Sequence, residues 1–396
     1  MIELIRFIFW LLFSLVFIYL GVYSLYLFVF SVTGKLIIKK APPVARGFKK
    51  FVIYICAYKE DAIILNSAAQ ALTIDYPKDK FHVCVIADSM QPETIVKLKE
   101  MPLQVVEVVF ESSTKSKALH KGIANTEEGF DAAVVFDIDN IAAPDYLHHI
   151  NNYLYAGDVV IQGHRVAKNT ETPVAILDAI SEEVNNHIFR KAQRVFNLSA
   201  AIIGSGMALE YRLFKDTMAK IDAVGGFDKE MGLVLTRQKI HVAYADAALI
   251  YDEKVSNPEV FKKQRRRWLS AQFNLLKTYG ATGFTELFRR GNFDYFNEIY
   301  QTAILPRILM LGLMPFMLLV SIIFPGVGPT WQAWATATAL CYIGILVAIP
   351  GQFFNGKLLG AVMKLPLIFF TMVMLLFKLK GANKKFIHTP HNPTSH

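Results

Sequence analysis

Two aspartates, Asp137 and Asp139, stand one residue apart in FDIDN, directly after the apolar run AAVVF and before the helix starter APDY. Alternate residues of an extended segment point to opposite faces, so two such carboxylates share one ion only where the chain turns as it leaves a sheet. The end of a strand allows that turn. A hard divalent cation such as Mg2+ or Mn2+ accepts one or two protein carboxylates, keeps several waters and takes further oxygens from a substrate phosphate. A solvated acidic turn would read the same way, and DxD alone is a weak motif, so its surroundings decide. CAYKED carries Tyr58 and Glu60, IADS carries Asp88, and KSKALHKG carries Lys117. A carboxylate can accept from a uracil N3–H or ribose hydroxyls, and a lysine beside a diphosphate supplies a point charge. Each residue alone also fits a turn, a core or a solvated face. Further along, QRRRW spans Gln264 to Trp268. Its Arg267 can bind a diphosphate bidentately, and Trp268 offers a flat face for a sugar ring. A juxtamembrane basic cluster with an aromatic anchor is the competing reading.

These residues need a scaffold that gathers them. From Phe51 onward short apolar runs alternate with helix-length segments, which is α/β punctuation with mostly parallel pairing. The pattern predicts strands over Phe51–Ala57, Phe81–Ala87, Gln104–Phe110 and Ala132–Phe136, and helices over Asp61–Leu72 and Gln91–Glu100. Ligands of open sheets sit beyond the carboxyl ends of the strands. Tyr58, Glu60, Asp88 and Asp137 all fall there.

The rest of the chain is partly lipid-like. Hydrophobic residues make up 53% of 396, with 30 Phe, and charged residues only 19%. Leu4 to Val32 is almost unbroken apolar, long enough to span a bilayer core of ~20 helical residues, and longer than the ~7 to 15 apolar residues of a signal peptide. Lys35, Lys39, Lys40, Arg46, Lys49 and Lys50 follow it, against Arg6 alone before it, so the positive-inside rule predicts an outward N-terminus and a cytoplasmic domain. Phe261 to Tyr279 reads as an amphipathic surface helix. Ile304–Phe324 and Ala333–Ile349, split by PGVGP, predict a transmembrane hairpin. Leu358–Phe377 contains Lys364 and Pro366 and fits an interfacial helix better than a further span. The expected organisation is an anchor at 1–34, a basic linker at 35–50, a catalytic domain at 51–257, interfacial helices at 258–303, a membrane hairpin at 304–350, an interfacial or third C-terminal membrane helix at 351–380, and a cytoplasmic tail at 381–396. This predicts a multi-pass protein of the cell membrane, the inner membrane if the source is bacterial. The net charge of +9 then serves lipid headgroups and phosphates, and nucleic acid is not expected as a partner. Cys56, Cys84 and Cys341 lack paired spacing and read as reduced thiols. His388, His391 and His396 fit a polar tail better than a metal cluster.

In this order the motifs resemble those of membrane-bound family 2 glycosyltransferases with the GT-A fold, related to cellulose, chitin and hyaluronan synthases. The family's P-A-Y-N-E resembles Cys56, Ala57, Tyr58, Lys59 and Glu60, its nucleoside-binding Asp falls on Asp88, its metal-binding DxD on Asp137 and Asp139, and its QxxRW on Gln264, Arg267 and Trp268. The resemblance implies a Rossmann-like, mixed but mainly parallel sheet. It also implies nucleotide contacts from Ala57, Tyr58, Glu60, Asp88, Lys117, Asp137, Gln264 and Arg267. GSGM at Gly204, Ser205, Gly206 and Met207 is similar to the segment lining the acceptor site, with Trp268 beside it, and Phe386 with Thr389 resembles a gating loop. Where the family has its T-E-D base segment, this chain reads Lys229, Glu230, Met231 after GGFD. Glu230 is the nearest carboxylate and Asp228 its rival.

The function so implied is inverting transfer of a sugar from a nucleotide diphosphate donor, UDP-linked by expectation, to a growing polysaccharide or oligosaccharide at the membrane. A glycolipid synthase similar to ceramide glucosyltransferase shares the plan of one anchor and few later spans. An inactive scaffold or nucleotide-sugar sensor is the non-enzymatic alternative. So few spans enclose a polymer channel poorly, which implies partner subunits for export.

Overall fold

The computed structural model describes residues 2–378; Phe386, Thr389 and the three tail histidines lie outside them. The chain opens with α1 (Ile2–Leu36) and continues through β1 (Phe51–Tyr58), α2 (Asp61–Leu72), β2 (Phe81–Asp88), α3 (Pro92–Lys99), β3 (Gln104–Val108), α4 (Lys115–Ala124) and β4 (Ala132–Asp137). These match the predicted elements closely. The third strand stops at Val108 instead of Phe110 because its neighbour ends at Asp88, which pairs with Val108, so nothing remains for Val109 to pair with. Next come β5 (Ile141–Ala142), α5 (Tyr146–Tyr155), β6 (Val160–Ala167) and α6 (Pro173–Asn185), which runs on through a π-helical turn (Asn186–Lys191) into α7 (Ala192–Val195). The domain closes with β7 (Met207–Glu210), α8 (Tyr211–Met218), α9 (Phe227–Arg237) and β8 (Ala243–Asp252).

The sheet order is β3-β2-β1-β4-β7-β6-β8-β5. β1, β2, β3 and β4 run parallel, as do β6 and β8, whereas β7 is antiparallel to both β4 and β6. The sheet is mixed and mainly parallel, as the sequence pattern predicts. Its central strands are apolar on both faces because helices cover both. Ile53, Ile55, Val83, Val85, Val134 and Phe136 pack on the α2 and α5 side. The alternate residues Val52, Tyr54, Cys84, Ile86, Ala133 and Val135 pack on the α4, α8 and α9 side.

Beyond the sheet lie α10 (Pro258–Arg290), α11 (Phe293–Ala303), α12 (Arg307–Ile323), α13 (Trp331–Ala348), α14 (Gly356–Val362) and α15 (Leu365–Leu376). Among the described residues, α1, α13 and the α14–α15 stretch are long and apolar enough to cross a membrane, and α11 with α12 forms a pair bent by 71°. The chain breaks between α14 and α15 where Pro366 occupies the first turn of the second helix. α1 and α13 run in the same direction. Phe13 sits beside Gly328, Phe17 meets Trp334 edge-on at 5.0 Å, and Phe28 lies beside Gly344. A Cβ on Gly344 would come within 2.8 Å of the Phe28 amide nitrogen, so only glycine permits this backbone approach. α15 is antiparallel to α12, with Phe369 over Gly312, and its end packs with Leu309 and with Leu269 of α10. Ala361 of α14 packs in the cluster that holds Ile176 and Ile180 of α6. α14 and the end of α15 therefore contact α6 and α10.

Candidate active site

Parallel pairing brings the predicted residues to one edge, because Tyr58 pairs with Asp88 and Cys56 with Asp137. β1 leaves the sheet through Lys59, at φ 54°, whose amide donates to the Asp88 carbonyl at 3.2 Å. Asp88 is buried and accepts from the Ser89 hydroxyl at 2.9 Å. Glu60 is buried at the start of α2. Ala57 is buried in β1.

The two aspartates of FDIDN take different partners as the strand ends. The Asp137 amide donates to Asn140 Oδ1 at 2.9 Å, which forms the turn. Asp139 accepts from the Glu253 amide at 2.9 Å and from Asn140 Nδ2 at 3.3 Å, while its carbonyl accepts from Lys168 Nζ. Asp137 instead pairs with Lys115, whose ammonium also donates to the Gly204 carbonyl at 2.7 Å. Each carboxylate oxygen has a second lone pair, and Asp137 keeps 38% of its side-chain surface exposed. Among the described residues no group of three or more His, Cys, Asp or Glu is poised to hold a metal. Two carboxylates at a strand end suit a hard divalent cation that draws its remaining oxygens from phosphate and water.

Lys115, absent from the sequence expectations, is the lysine that enters the site. Thr114 caps α4 by accepting from the Lys117 amide, which sets Lys115 at the first position of the helix, over the strand ends. Lys117 points elsewhere, donating to the Ser112 carbonyl at 3.0 Å from an exposed position. Lys115, not Lys117, is the lysine beside Asp137 and Gly204. The nearby Cys56 thiol is pushed up to about 12, chiefly by burial.

GSGM crosses between strands. Gly204 and Gly206 have φ 74° and 57°, the left-handed region that glycine enters without strain. The Gly206 amide donates to the Val135 carbonyl at 2.9 Å, and Gln162 Nε2 donates to the carbonyls of Ser205 and Gly206, both at 2.9 Å. Ser205 is fully buried, so only the backbone of this segment can meet an acceptor.

α9 begins after Gly226, at φ 76°, where an added Cβ would meet Ala271 of α10 at 3.1 Å. The close approach sets the first turn of α9 against the QRRRW helix. A Cβ on Gly204 would lie 3.1 Å from Asp228 Cβ and 3.4 Å from its Cγ. Arg267 is largely buried, which lowers its pKa, and both Asp137 and Asp228 act against that through their charge. Asp228 thus belongs to a continuous cluster with Gly204, Lys115, Asp137 and Arg267. Glu230 does not join it. Its carboxylate accepts from the Tyr279 hydroxyl of α10 at 2.8 Å, three helical turns beyond Arg267.

The three arginines of QRRRW diverge. Arg265 pairs with Asp178 of α6 and lies 4.5 Å from the Trp268 ring centroid, Arg266 donates to the Lys378 carbonyl at 2.6 Å, and Arg267 lies within electrostatic reach of Asp137 and Asp228. Trp268 is 40% exposed, with Arg265 over its ring. Gln264 has a buried Oε1 with no hydrogen-bond partner, an acceptor suited to a hydroxyl or N–H of a ligand.

A buried ion network backs the site. Glu182 accepts from Arg165 at 2.8 Å and Arg190 at 3.0 Å, and Lys254 reaches Asp252 at 2.8 Å and Glu182 at 3.8 Å. Burial would raise the Glu182 pKa, but Arg165, Lys254 and Arg190 hold it well below the usual carboxylate range. Burial pushes Asp252 up to about 6, against Lys254 and Arg165. The loop from Glu253 to Lys254 is held by this network, and its amide in turn holds Asp139.

A family model described as "Glycosyltransferase like family 2" matches residues 49–271. Among curated proteins, glucomannan 4-beta-mannosyltransferase 7 of Arabidopsis thaliana is 22% identical over 330 residues, 76% of this chain and 57% of that protein. The glycosyltransferase YdaM of Bacillus subtilis strain 168 is 22% identical over 258 residues, 62% of this chain and 61% of that protein. The chain thus spans about three fifths of the length of these relatives. A mannosyltransferase of Pyrobaculum calidifontis, solved with GDP-mannose and Mn2+, is 12% identical with a TM-score of 0.49, over 84% of this chain and 98% of that one. With more than half of its length matched by the family, this chain belongs to glycosyltransferase-like family 2.

Proposed function

We propose that the protein is a membrane-embedded, inverting glycosyltransferase that moves a sugar from a nucleotide diphosphate donor, by first expectation UDP-linked, to a saccharide acceptor. The observation that carries this reading is the joining of Asp137, Lys115, Gly204, Asp228 and Arg267 into one cluster at the carboxyl ends of the strands. In this scheme Tyr58, Glu60 and Asp88 receive the nucleoside, while Lys115 and Arg267 neutralise the diphosphate and stabilise it as it departs. A divalent cation held by Asp137 and Asp139 would add charge neutralisation at the phosphates. Asp228 takes the proton of the acceptor hydroxyl as its oxygen attacks the anomeric carbon. The bond from that carbon to the phosphate oxygen breaks, and the nucleoside diphosphate leaves on the opposite face.

The common direction of α1 and α13 supports the membrane reading. With the basic linker inside, α1 runs inward, α13 does the same, and the 325–329 turn lies outside. The contacts of α14 with α6 and of α15 with α10 support an interfacial course for 356–376 on the cytoplasmic side. Few spans and the tight α1–α13 contact favour an acceptor delivered at the membrane surface, either a short saccharide chain or a glycolipid. Purified protein in lipid nanodiscs, given labelled nucleotide sugars, should release nucleoside diphosphate together with labelled product. A ladder marks a polymer and a single organic-phase spot marks a glycolipid. Donor binding without transfer to any acceptor in membrane extract would establish a sensor instead.

A further inference from the structure

A second basic site lies away from the transfer site. A cleft of about 300 Å³ is lined by Lys39, Lys40, Arg194 and His241, with Tyr153 as a wall and Asp158 as its acid. Asp158 precedes β6 and the cleft borders the start of β8, whereas Lys168 and Asp252 lie at the other ends of those strands, about 25 Å away by strand rise. Donor binding therefore does not use it. Arg194 is fixed by donating to the Tyr153 hydroxyl at 3.1 Å and the Tyr244 carbonyl at 2.9 Å, and Lys39 donates to Asn197 at 3.2 Å. Pro42 and Pro43 stiffen the chain just after the two lysines and hold them at the rim. Three permanent cations face one carboxylate, and Arg194 and His241 already counter that carboxylate.

The cleft sits where α1 ends. Gly34 lies against Ala192, and His187 bonds the Ser31 carbonyl at 2.8 Å, so α7 and Arg194 flank the last turn of α1. Leu36, Ile37, Ile38 and Phe196, neighbours of the cleft residues, are exposed apolar side chains. Apolar groups that enter the acyl boundary beside lysines that reach the headgroup plane are the chemistry of a lipid–water interface. We propose that this cleft binds a phosphate group, that of an anionic phospholipid, and so fixes the catalytic domain against the bilayer. The inference rests on α1 being a membrane span.

Full-length protein in detergent micelles, titrated with phosphatidylglycerol or phosphatidylcholine and read by native mass spectrometry, tests it. Phosphatidylglycerol should bind preferentially, and Lys39→Gln with Lys40→Gln should weaken it about 30-fold, as two juxtamembrane lysines would. Donor binding should be unchanged in the same variant. Equal phosphatidylglycerol affinity in both proteins overturns the proposal, leaving the membrane reading intact. Inorganic phosphate that competes as effectively as the lipid would reassign the cleft to a soluble ligand and overturn it too. Should alkaline carbonate strip the protein from membranes, the proposal falls together with the span.

Discussion

Replacing Asp228 by Asn removes a charge and a proton acceptor while keeping the side-chain volume that packs 3.1 Å from the Gly204 position. The variant should fold, because the contact with Gly204 does not depend on ionisation and α9 starts at Gly226 without a side-chain cap. Loss of a general base costs ~10² to 10⁴ in rate, or ~2.7 to 5.5 kcal/mol of barrier. Donor affinity should change far less, since Lys115 and Arg267 remain as the diphosphate cations. Glu230→Gln is the informative partner. The Gln carbonyl still accepts from the Tyr279 hydroxyl, now 2.8 Å from Glu230, so turnover should stay within about threefold of the parent, the worth of one neutral hydrogen bond made slightly weaker. The assay measures initial transfer rates at saturating donor and nucleoside diphosphate affinity by calorimetry, at equal folded concentration of each protein. Collapse of turnover in Glu230→Gln with near-normal Asp228→Asn would refute the placement of the base and move it two residues along α9, to the carboxylate beside Tyr279.

Lys115→Met should weaken nucleoside diphosphate binding about tenfold or more, the loss of one charge-assisted contact, whereas Lys117→Met should leave it unchanged; equal effects would undo the distinction between them. Glu182→Gln leaves Arg165, Arg190 and Lys254 short of counter-charge and should cost ~3 to 5 kcal/mol in chemical unfolding. Because its folded pKa is depressed, the stabilisation from Glu182 is complete above the usual carboxylate pKa and fades as pH falls through the lower folded value. The pH profile of unfolding should lose that acid limb in the variant, and an unchanged profile would count against the network. Burial holds the Cys84 thiol at about 12, so it should not react quickly with a thiol reagent at mildly alkaline pH in the native protein. Rapid labelling of Cys84 would contradict its burial.

β1, β2 and β4 were legible because each is a largely apolar run closed by Tyr58, Asp88 or Asp137, and burial on both faces leaves no competing helical period. The antiparallel β7 was hidden. Only Met207 to Glu210 pair there, and four residues between a glycine turn and a helix carry too little periodicity. Lys115 and Lys117 look alike in KSKALHKG, and the choice depends on the Thr114 cap, which sets the helix start to the residue. The two carboxylates of α9 posed the same difficulty. Spacing along the family motif favours Glu230, whereas packing places Asp228 beside Gly204 and Glu230 beside Tyr279, an arrangement that only the tertiary structure displays. Likewise the QRRRW run reads as one basic patch, yet helical geometry sends its arginines to three partners. The long apolar helices were legible in hydropathy, and Lys364 with Pro366 marked the break before α15, but the 71° bend before α12 was not.

The cluster around Asp137, Asp139 and Arg267 is proposed to bind a nucleotide sugar through its diphosphate and to transfer the sugar. Its most direct test is calorimetric titration of UDP- and GDP-sugars into the purified full-length protein with Mg2+ or Mn2+, followed by product analysis on the same sample. The account predicts cation-dependent binding of at least one donor, release of nucleoside diphosphate with inverted product, and loss of both in Asp139→Ala despite an unchanged fold. Donor binding and transfer that persist in EDTA, or that survive Asp139→Ala and Arg267→Ala alike, would contradict it.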